Sequence, residues 1–208
     1  MIIDPQTLTH QDRYKLLNGS VVPRPIAFVS SMDAKGELNL APFSFFNVVG
    51  SSPMSVVFSV MRRGPEALKK DTLRNIEETG EYVVNIVNEA LVERMNVTSA
   101  DFPHGVNEFE EAGLTPMPSE VVRPPRVAES PINMECKLIQ TVEVGNGPGG
   151  GTLIIGEVLR FHIWDELYDQ GRIDPDKLQA VGRMAGASYT RTTDRFDLVR
   201  PVYQPAAR

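Results

Sequence analysis

Residues 26–32 and 37–41 are two β-prone runs joined by Asp33-Ala-Lys-Gly36, a turn built from the residues hairpins require, so the pattern predicts a β-hairpin. Residues 45–49 and 55–60 read as two more strands, separated by the turn chemistry of Gly50-Ser-Ser-Pro53. Upstream, Thr9-His10-Gln11-Asp12 has the spacing of a capping box, and Tyr14, Leu16 and Leu17 follow before Asn18-Gly19, which predicts a short opening helix. Downstream, Asp71 or Thr72 is placed to cap a helix over 73–79 that Gly80 stops, with a strand over 82–87 directly after. Asn88 is placed to cap a helix through Leu91 and Met95, and Asn107 with Glu110 starts another that Gly113 closes. Pro116, Pro118, Pro124, Pro125 and Pro131 then predict an extended connection crossing the surface.

The longest β-prone stretches are 133–144 and 152–164, linked by the glycine-rich 145–151, and their length suits a curved hairpin closing a barrel. Residues 178–187 and the polar tail 188–208 read as a less regular end. Strands predominate without regular alternation with helices, and neither an internal repeat nor a linker interrupts the chain. The expected fold is mainly β, an antiparallel barrel with added helices, in one domain over 1–208.

Composition supports a folded globule: 41% of the 208 residues are hydrophobic and 23% charged. The formal charge of -6 argues against a general affinity for nucleic acid or an anionic membrane, so any phosphate site must be local. The single cysteine, Cys136, excludes an internal disulfide and a four-cysteine zinc site. The N-terminus lacks a secretory pattern and no apolar run is long enough to span a bilayer, so the expected location is the cytoplasm.

Several motifs dissolve on inspection. Gly145-x-Gly147-x-x-Gly150 matches the dinucleotide fingerprint formally, but Pro148 sits inside it and the β-prone 152–155 follows where a helix is required, so it reads as a hairpin loop. Neither a phosphate loop of the G-x-x-x-x-G-K-[ST] type nor a G-x-S-x-G elbow occurs. Asp101-x-x-His104 has too few partners for a metal and reads as a surface loop. Cys136, within a strand pattern, reads as core packing.

Two segments carry candidate chemistry. Residues 61–75 hold Arg62, Arg63, Lys69, Lys70 and Arg74 against Glu66 and Asp71, a net +3 just ahead of a helix start. Such a segment is either a solvated basic surface or a seat for a phosphate monoester, with backbone N–H groups and Thr72 facing the anion. Adjacent side chains on an extended strand face opposite sides, so if one of Arg62 and Arg63 faces that seat the other is expected to point away. Residues 39–47, Asn-Leu-Ala-Pro-Phe-Ser-Phe-Phe-Asn, are either a barrel strand with core phenylalanines or the apolar and amide lining of a planar heteroaromatic ligand. Phe43, Phe45 and Phe46 are expected to be exposed beside that ligand, which favours a dimer.

Arg24-Pro-Ile-Ala-Phe-Val-Ser-Ser-Met-Asp33, followed by Gly36-x-x-Asn39-x-Ala-Pro-Phe-Ser-Phe-Phe-Asn47, resembles the flavin reductase-like family of FMN-binding split barrels. Ser59 with Arg62, Lys70-Asp-Thr-Leu-Arg-Asn75, Tyr82-Val-Val-Asn85, Ser130-Pro-Ile-x-x-Glu135-Cys-Lys137 and Val181-Gly-Arg183-x-x-Gly-x-x-Tyr189 extend the likeness over about residues 20–190. The nearest subgroup is similar to flavoredoxins and monooxygenase reductase components. The resemblance implies a Greek-key-like split barrel and a homodimer with FMN, or FAD, near the subunit interface. It implies that Ala41, Pro42, Phe43, Ser44, Phe45, Phe46 and Asn47 line the isoalloxazine. It also implies that Ser59, Arg62, Lys70, Asp71 and Thr72 surround the ribityl phosphate, with Arg183 and Tyr189 at the rim. The insertion over 89–126, read as helical, is placed to cover the flavin. The implied activity is hydride transfer from NAD(P)H to flavin and on to an acceptor or partner oxygenase. The rival is an FMN-binding electron carrier or flavin store that no nicotinamide reduces. In either case the flavin carries the chemistry and no catalytic side chain or metal is expected.

Overall fold

A computed structural model describes residues 1–203. Seven strands form the frame: β1 (Ala27–Met32), β2 (Leu38–Phe43), β3 (Phe46–Ser51), β4 (Met54–Met61), β5 (Glu81–Ile86), β6 (Ile132–Val144) and β7 (Gly151–Ile163). All pairings are antiparallel, in the order β2-β1-β5-β6-β7-β4-β3. The β1–β2 and β3–β4 hairpins thus sit at opposite ends of the sheet, yet only Ser44 and Phe45 separate β2 from β3. So short a link holds only if the sheet curls until its ends approach. Phe43 accordingly meets Phe58 of β4 with ring centroids 5.2 Å apart, and Ser59 N–H donates to the Phe45 carbonyl at 2.8 Å. The expected split barrel is the observed one. Residues 145–150 are the hairpin loop between β6 and β7, as the strand after the glycines predicts.

Alternate residues fill the barrel. Ala27 and Val29, Val56, Phe58 and Val60, Tyr82 and Val84, and Ile154 form one core, into which α2 (Asp71–Thr79) sends Leu73 and Ile76. Gly80 ends α2 in the left-handed region at φ 73°, its N–H returning to the Ile76 carbonyl. Phe43 belongs to this core, which corrects the expectation that it is an exposed interface residue. Tyr82 fills the space where a side chain on Gly156 would lie. Cys136, opposite Tyr82 in register, is buried, and burial pushes its thiol up to about 12.

The outer face of β1 and β2 is covered as well. Phe28 and Leu40 pack with Leu91, Met95, Phe109 and Val127 from the segment between β5 and β6. Burial on both faces explains why 26–29 is continuously apolar rather than alternating. That segment is less helical than expected: α3 (Val92–Val97) and α4 (Glu108–Glu111) have six and four residues, and the rest is irregular.

The proline-rich crossing rides on the surface over its first part, where 115–118, 120, 121 and 123 are exposed, and turns inward at Pro124, Val127 and Ser130. Its two ends pair with each other, Pro116–Met117 against Arg126–Val127, and buried side chains of the sheet accept and donate for much of the rest. Asn85 Nδ2 donates to the Phe28 carbonyl, while its Oδ1 accepts from Val127 N–H and Asn133 Nδ2 at 3.0 and 2.8 Å. Ser30 donates to the Pro125 carbonyl, and Ser130 to the Ile86 and Ile132 carbonyls. Glu135, fully buried on β6, accepts from the N–H groups of Glu120, Val121 and Val122 at 2.7 to 3.1 Å and faces His162 Nε2. Burial opposes ionisation here, but those donors outweigh it and hold the carboxyl below its ordinary range.

At the ends, Thr9 caps α1 (His10–Ser20), accepting from Asp12 N–H as predicted, but the helix runs through Gly19. The C-terminal region is more regular than expected: β8 (Val181–Arg183) pairs with β9 (Tyr189–Arg191), and residues 204–208 of the predicted irregular tail lie outside the described residues. Among the described residues, none forms a helix long and apolar enough to cross a membrane.

Glu135→Gln would aim an amide NH₂ at backbone donors and is expected to cost about 2–4 kcal/mol at neutral pH. Because the native carboxyl titrates below the unfolded one, Glu135's contribution is present above the unfolded pKa and is lost as pH falls through the native one. Thermal unfolding of both proteins from pH 7 to pH 3 should therefore show the gap narrowing toward acid; a gap independent of pH contradicts this role.

Candidate functional site

The site follows from parity along β4 and its extension. Ser59 and Met61 point to one side, where they line a cleft with Phe45, and Val60 points into the core. Two residues on from Met61, Arg63 continues the outward series, whereas Arg62 follows Val60 inward. Arg62 is nearly buried and ion-pairs with Glu143 of β6, with its Nε left without a partner. Arg63 lines the large cavity beside Lys70, donating to the Phe102 carbonyl at 3.0 Å and pairing with Asp101 at 3.4 Å. The expectation is thus reversed: Arg63 reaches the site and Arg62 does not.

That cavity measures about 310 Å³. Its floor is Asn39, Ala41 and Pro42 of β2, one wall is the α2 start, and its roof is residues 98–104 with Glu108. In α2, the N–H groups of Leu73 and Arg74 both reach the Lys70 carbonyl, and no side chain caps the helix. The N–H groups of Asp71 and Thr72 are left as free donors at the positive end of the helix dipole. Lys70 takes part in none of the ion pairs among the described residues, whereas its neighbours do: Arg63 with Asp101, Lys69 with Glu77, and Arg74 with Asp71. Burial lowers the Lys70 pKa; Asp101 counteracts this and Arg63 adds to it. Asp71 also holds His104 at 3.1 Å, so its carboxylate is engaged. The Thr72 hydroxyl donates to Asn39 Oδ1 at 2.6 Å, which leaves the Thr72 backbone N–H as its polar group toward the cavity. Asn39 in turn donates to Glu108, which also accepts from Leu40 N–H; burial raises the Glu108 pKa against both hydrogen bonds.

Two smaller cavities adjoin the first at Pro42. One, about 150 Å³, is lined by Pro42, Phe43, Ser44, Phe45, Ser59 and Met61, together with Tyr14 of α1 and Lys70. The other, about 220 Å³, is bounded by Tyr14, Ile26, Met95 and Asn96 and by Arg183 and Tyr189 of the C-terminal ribbon. Lys70 belongs to the first two cavities, and Ser44 and Tyr14 to the last two.

Arg24 holds these pieces together. Its Nη1 donates to the Asn18 and Val21 carbonyls at 2.8 and 2.7 Å, its Nη2 to the Met184 carbonyl at 3.0 Å, and its Nε to the Ser44 hydroxyl at 3.3 Å. The guanidinium also lies 5.8 Å from the Phe45 ring centroid. Burial lowers its pKa, yet carbonyls at the negative end of α1 supply what a carboxylate otherwise would. Sequence reasoning placed Arg24 only within a motif; its signal was the surrounding apolar stretch, where a buried arginine needs several acceptors at once.

Of the residues singled out from sequence, Ala41, Pro42, Phe43, Ser44, Phe45, Ser59, Lys70, Asp71, Thr72, Arg183 and Tyr189 line the three joined cavities. Phe46, Asn47 and Arg62 do not. Phe46 packs on the barrel core, and Asn47 is exposed on β3 with its Oδ1 accepting from the next N–H, that of Val48.

The antiparallel split barrel thus places an uncapped helix start, and a lysine without an ion pair among the described residues, beside a groove of aromatic and small polar residues. The family model for the flavin reductase like domain matches residues 19–177, and the chain belongs to that family. An uncharacterized protein of Halalkalibacterium halodurans is 43% identical over 204 residues, covering 97% of each chain. The crystal structure of nitrilotriacetate monooxygenase component B from Bacillus cereus superposes with a TM-score of 0.90 at 42% identity, covering 95% of this chain and 98% of that one. That of Pseudomonas fluorescens 2-nitrobenzoate 2-nitroreductase gives 0.88 at 37% identity, with each chain covered in full.

Arg24→Met is expected to strand three carbonyls and free α1, costing about 2–4 kcal/mol. Hydrogen exchange should rise at residues 14–20 with the β5 amides still protected; unchanged protection of α1 would show that Arg24 is not the clamp.

Proposed function

We propose that the chain is an FMN-binding flavin oxidoreductase that accepts a hydride from NAD(P)H and passes reducing equivalents to an acceptor or partner oxygenase. The observation that carries this reading is the conjunction of free N–H groups at the α2 start with the unpaired Lys70, in a cavity continuous with a groove walled by Pro42, Phe45 and Ser59. Helix start and lysine fit a dianionic phosphate monoester, and Arg63 takes the role that sequence alone gave to Arg62. The groove suits the flat ring of FMN, which Pro42 to Phe45 and Ser59 would hold. FAD is the alternative, separated by identifying the chromophore released from the purified protein.

Flavin, once bound, supplies the hydride and electron transfer. The chain's own residues position it and exclude water: residues 98–104 roof the phosphate end, and Arg24 fixes Ser44 and Phe45 at the other. The Bacillus cereus relative is by name a monooxygenase component, which supports an oxygenase partner. Exposed Val48, Val49 and Met54 on the β3–β4 hairpin, with the half-buried Phe45 and Phe46 beside them, support a homodimer, for which light scattering is the direct check.

Anaerobic mixing with NADH or NADPH should bleach the flavin band at a useful rate. A band that stays yellow would leave the electron-carrier reading, which the roof over the cavity favours by restricting access of a nicotinamide.

Charge-assisted hydrogen bonds contribute about 1.5–3 kcal/mol each, so Lys70→Ala and Arg63→Ala should weaken FMN binding about ten- to a hundredfold. Riboflavin, which lacks the phosphate, should be nearly unaffected. Arg62→Ala serves as the control and should not separate the two ligands. Equal losses for FMN and riboflavin in the Lys70 variant would remove the phosphate from this cavity.

A further inference from the structure

The cavity between α1, α3 and the C-terminal ribbon, about 220 Å³, has a lining unlike that of its neighbours. Around the large cavity, five basic residues are offset by Asp71, Asp101 and Glu108. Here Arg183 is the one charged lining residue among the described residues, and no carboxylate faces it. Its backbone is fixed by two hydrogen bonds with Arg24, N–H to carbonyl in each direction, at 3.0 and 2.8 Å. Its guanidinium lies 4.5 Å from the Tyr189 ring centroid and donates to the Gly186 carbonyl. That contact uses one of five N–H donors, and the nearby Arg24 guanidinium, spent on carbonyls, only deepens the positive potential. Tyr189 is itself oriented, its hydroxyl donating to Asn96 Oδ1 at 3.0 Å. The same cavity is lined by the apolar Ile26, Pro42 and Met95.

We infer that this cavity is a subsite for a single-ring aromatic carboxylate, its carboxylate paired with Arg183 and its ring laid on Tyr189 against Ile26, Pro42 and Met95. A planar guanidinium with free paired donors matches a carboxylate in the two-bond mode. The volume lies below the about 300–1,000 Å³ of clefts that hold drug-sized ligands, which suits one ring and excludes a dinucleotide. Ser44 and Tyr14 are shared with the groove proposed for the flavin ring, so the acid would sit beside it. That such an acid is the electron acceptor rests on the flavin reading above; that it binds does not.

The test is calorimetric titration of benzoate and its neutral isostere benzamide, on flavin-free and FMN-loaded protein. Wild type should prefer benzoate about ten- to a hundredfold in both forms. Arg183→Gln should bring that ratio to near one, and Arg183→Lys should retain part of it. Because the two probes are compared within each variant, a general loosening of the fold cancels. A wild-type ratio near one, or a preference that survives Arg183→Gln, overturns the inference; so does a preference abolished by Lys70→Ala instead, which would seat the anion in the larger cavity. Failure of the protein to take up FMN would sink the flavin reading alone, since the flavin-free titration still decides the subsite.

Discussion

A guanidinium taken out of water must have its donors met or the fold does not hold, and at Arg24 the molecule meets that demand with carbonyls from two stretches of chain and a hydroxyl from a third. The last turn of α1, the link between β2 and β3, and the loop between β8 and β9 converge on this one side chain. Convergence makes the groove, since the same stretches carry Tyr14, Ser44, Phe45 and Arg183. The tight two-residue link between β2 and β3 is therefore held from both sides, by the curl of the sheet and by the Arg24 contact to Ser44.

Charge is distributed along the groove with a gradient of commitment. The bases around the large cavity are mostly matched to acids within the chain, so the cavity is polar without being strongly positive. Lys70 and the first α2 N–H groups stand out because no group among the described residues pairs with them. Arg183, at the far end, is oriented but not neutralised. Two uncommitted positive loci with an aromatic passage between them constrain the ligand more than the net charge of the segment does.

Much of this was legible from sequence because it depends on local rules. The β1–β2 turn, the Thr9 cap, the Gly80 stop and the reading of 145–151 as a hairpin each follow from a few adjacent residues. The Arg62 and Arg63 assignment failed although the means to decide it were present: Ser59 and Arg62 are an odd number of residues apart and cannot share a strand face, whereas Ser59 and Arg63 can. Other misses needed distant partners. Phe43 looks exposed until the sheet curls and brings Phe58 to it, and the proline-rich crossing, exposed over its first part as expected, is tied to the sheet by Asn85, Asn133 and Glu135 in a way that no local pattern shows. The pairing of β8 with β9 rests on three residues each, too short for periodicity to reveal.

The lone thiol has a practical corollary. Cys136 is shut inside the barrel and stays protonated far above neutral pH, so reagents that attack thiolates find almost no target in the native chain. A cysteine introduced on the roof, at position 101 for example, would be the sole reactive thiol, and a fluorescent or spin probe placed there would report on the cavity below without first engineering the background away.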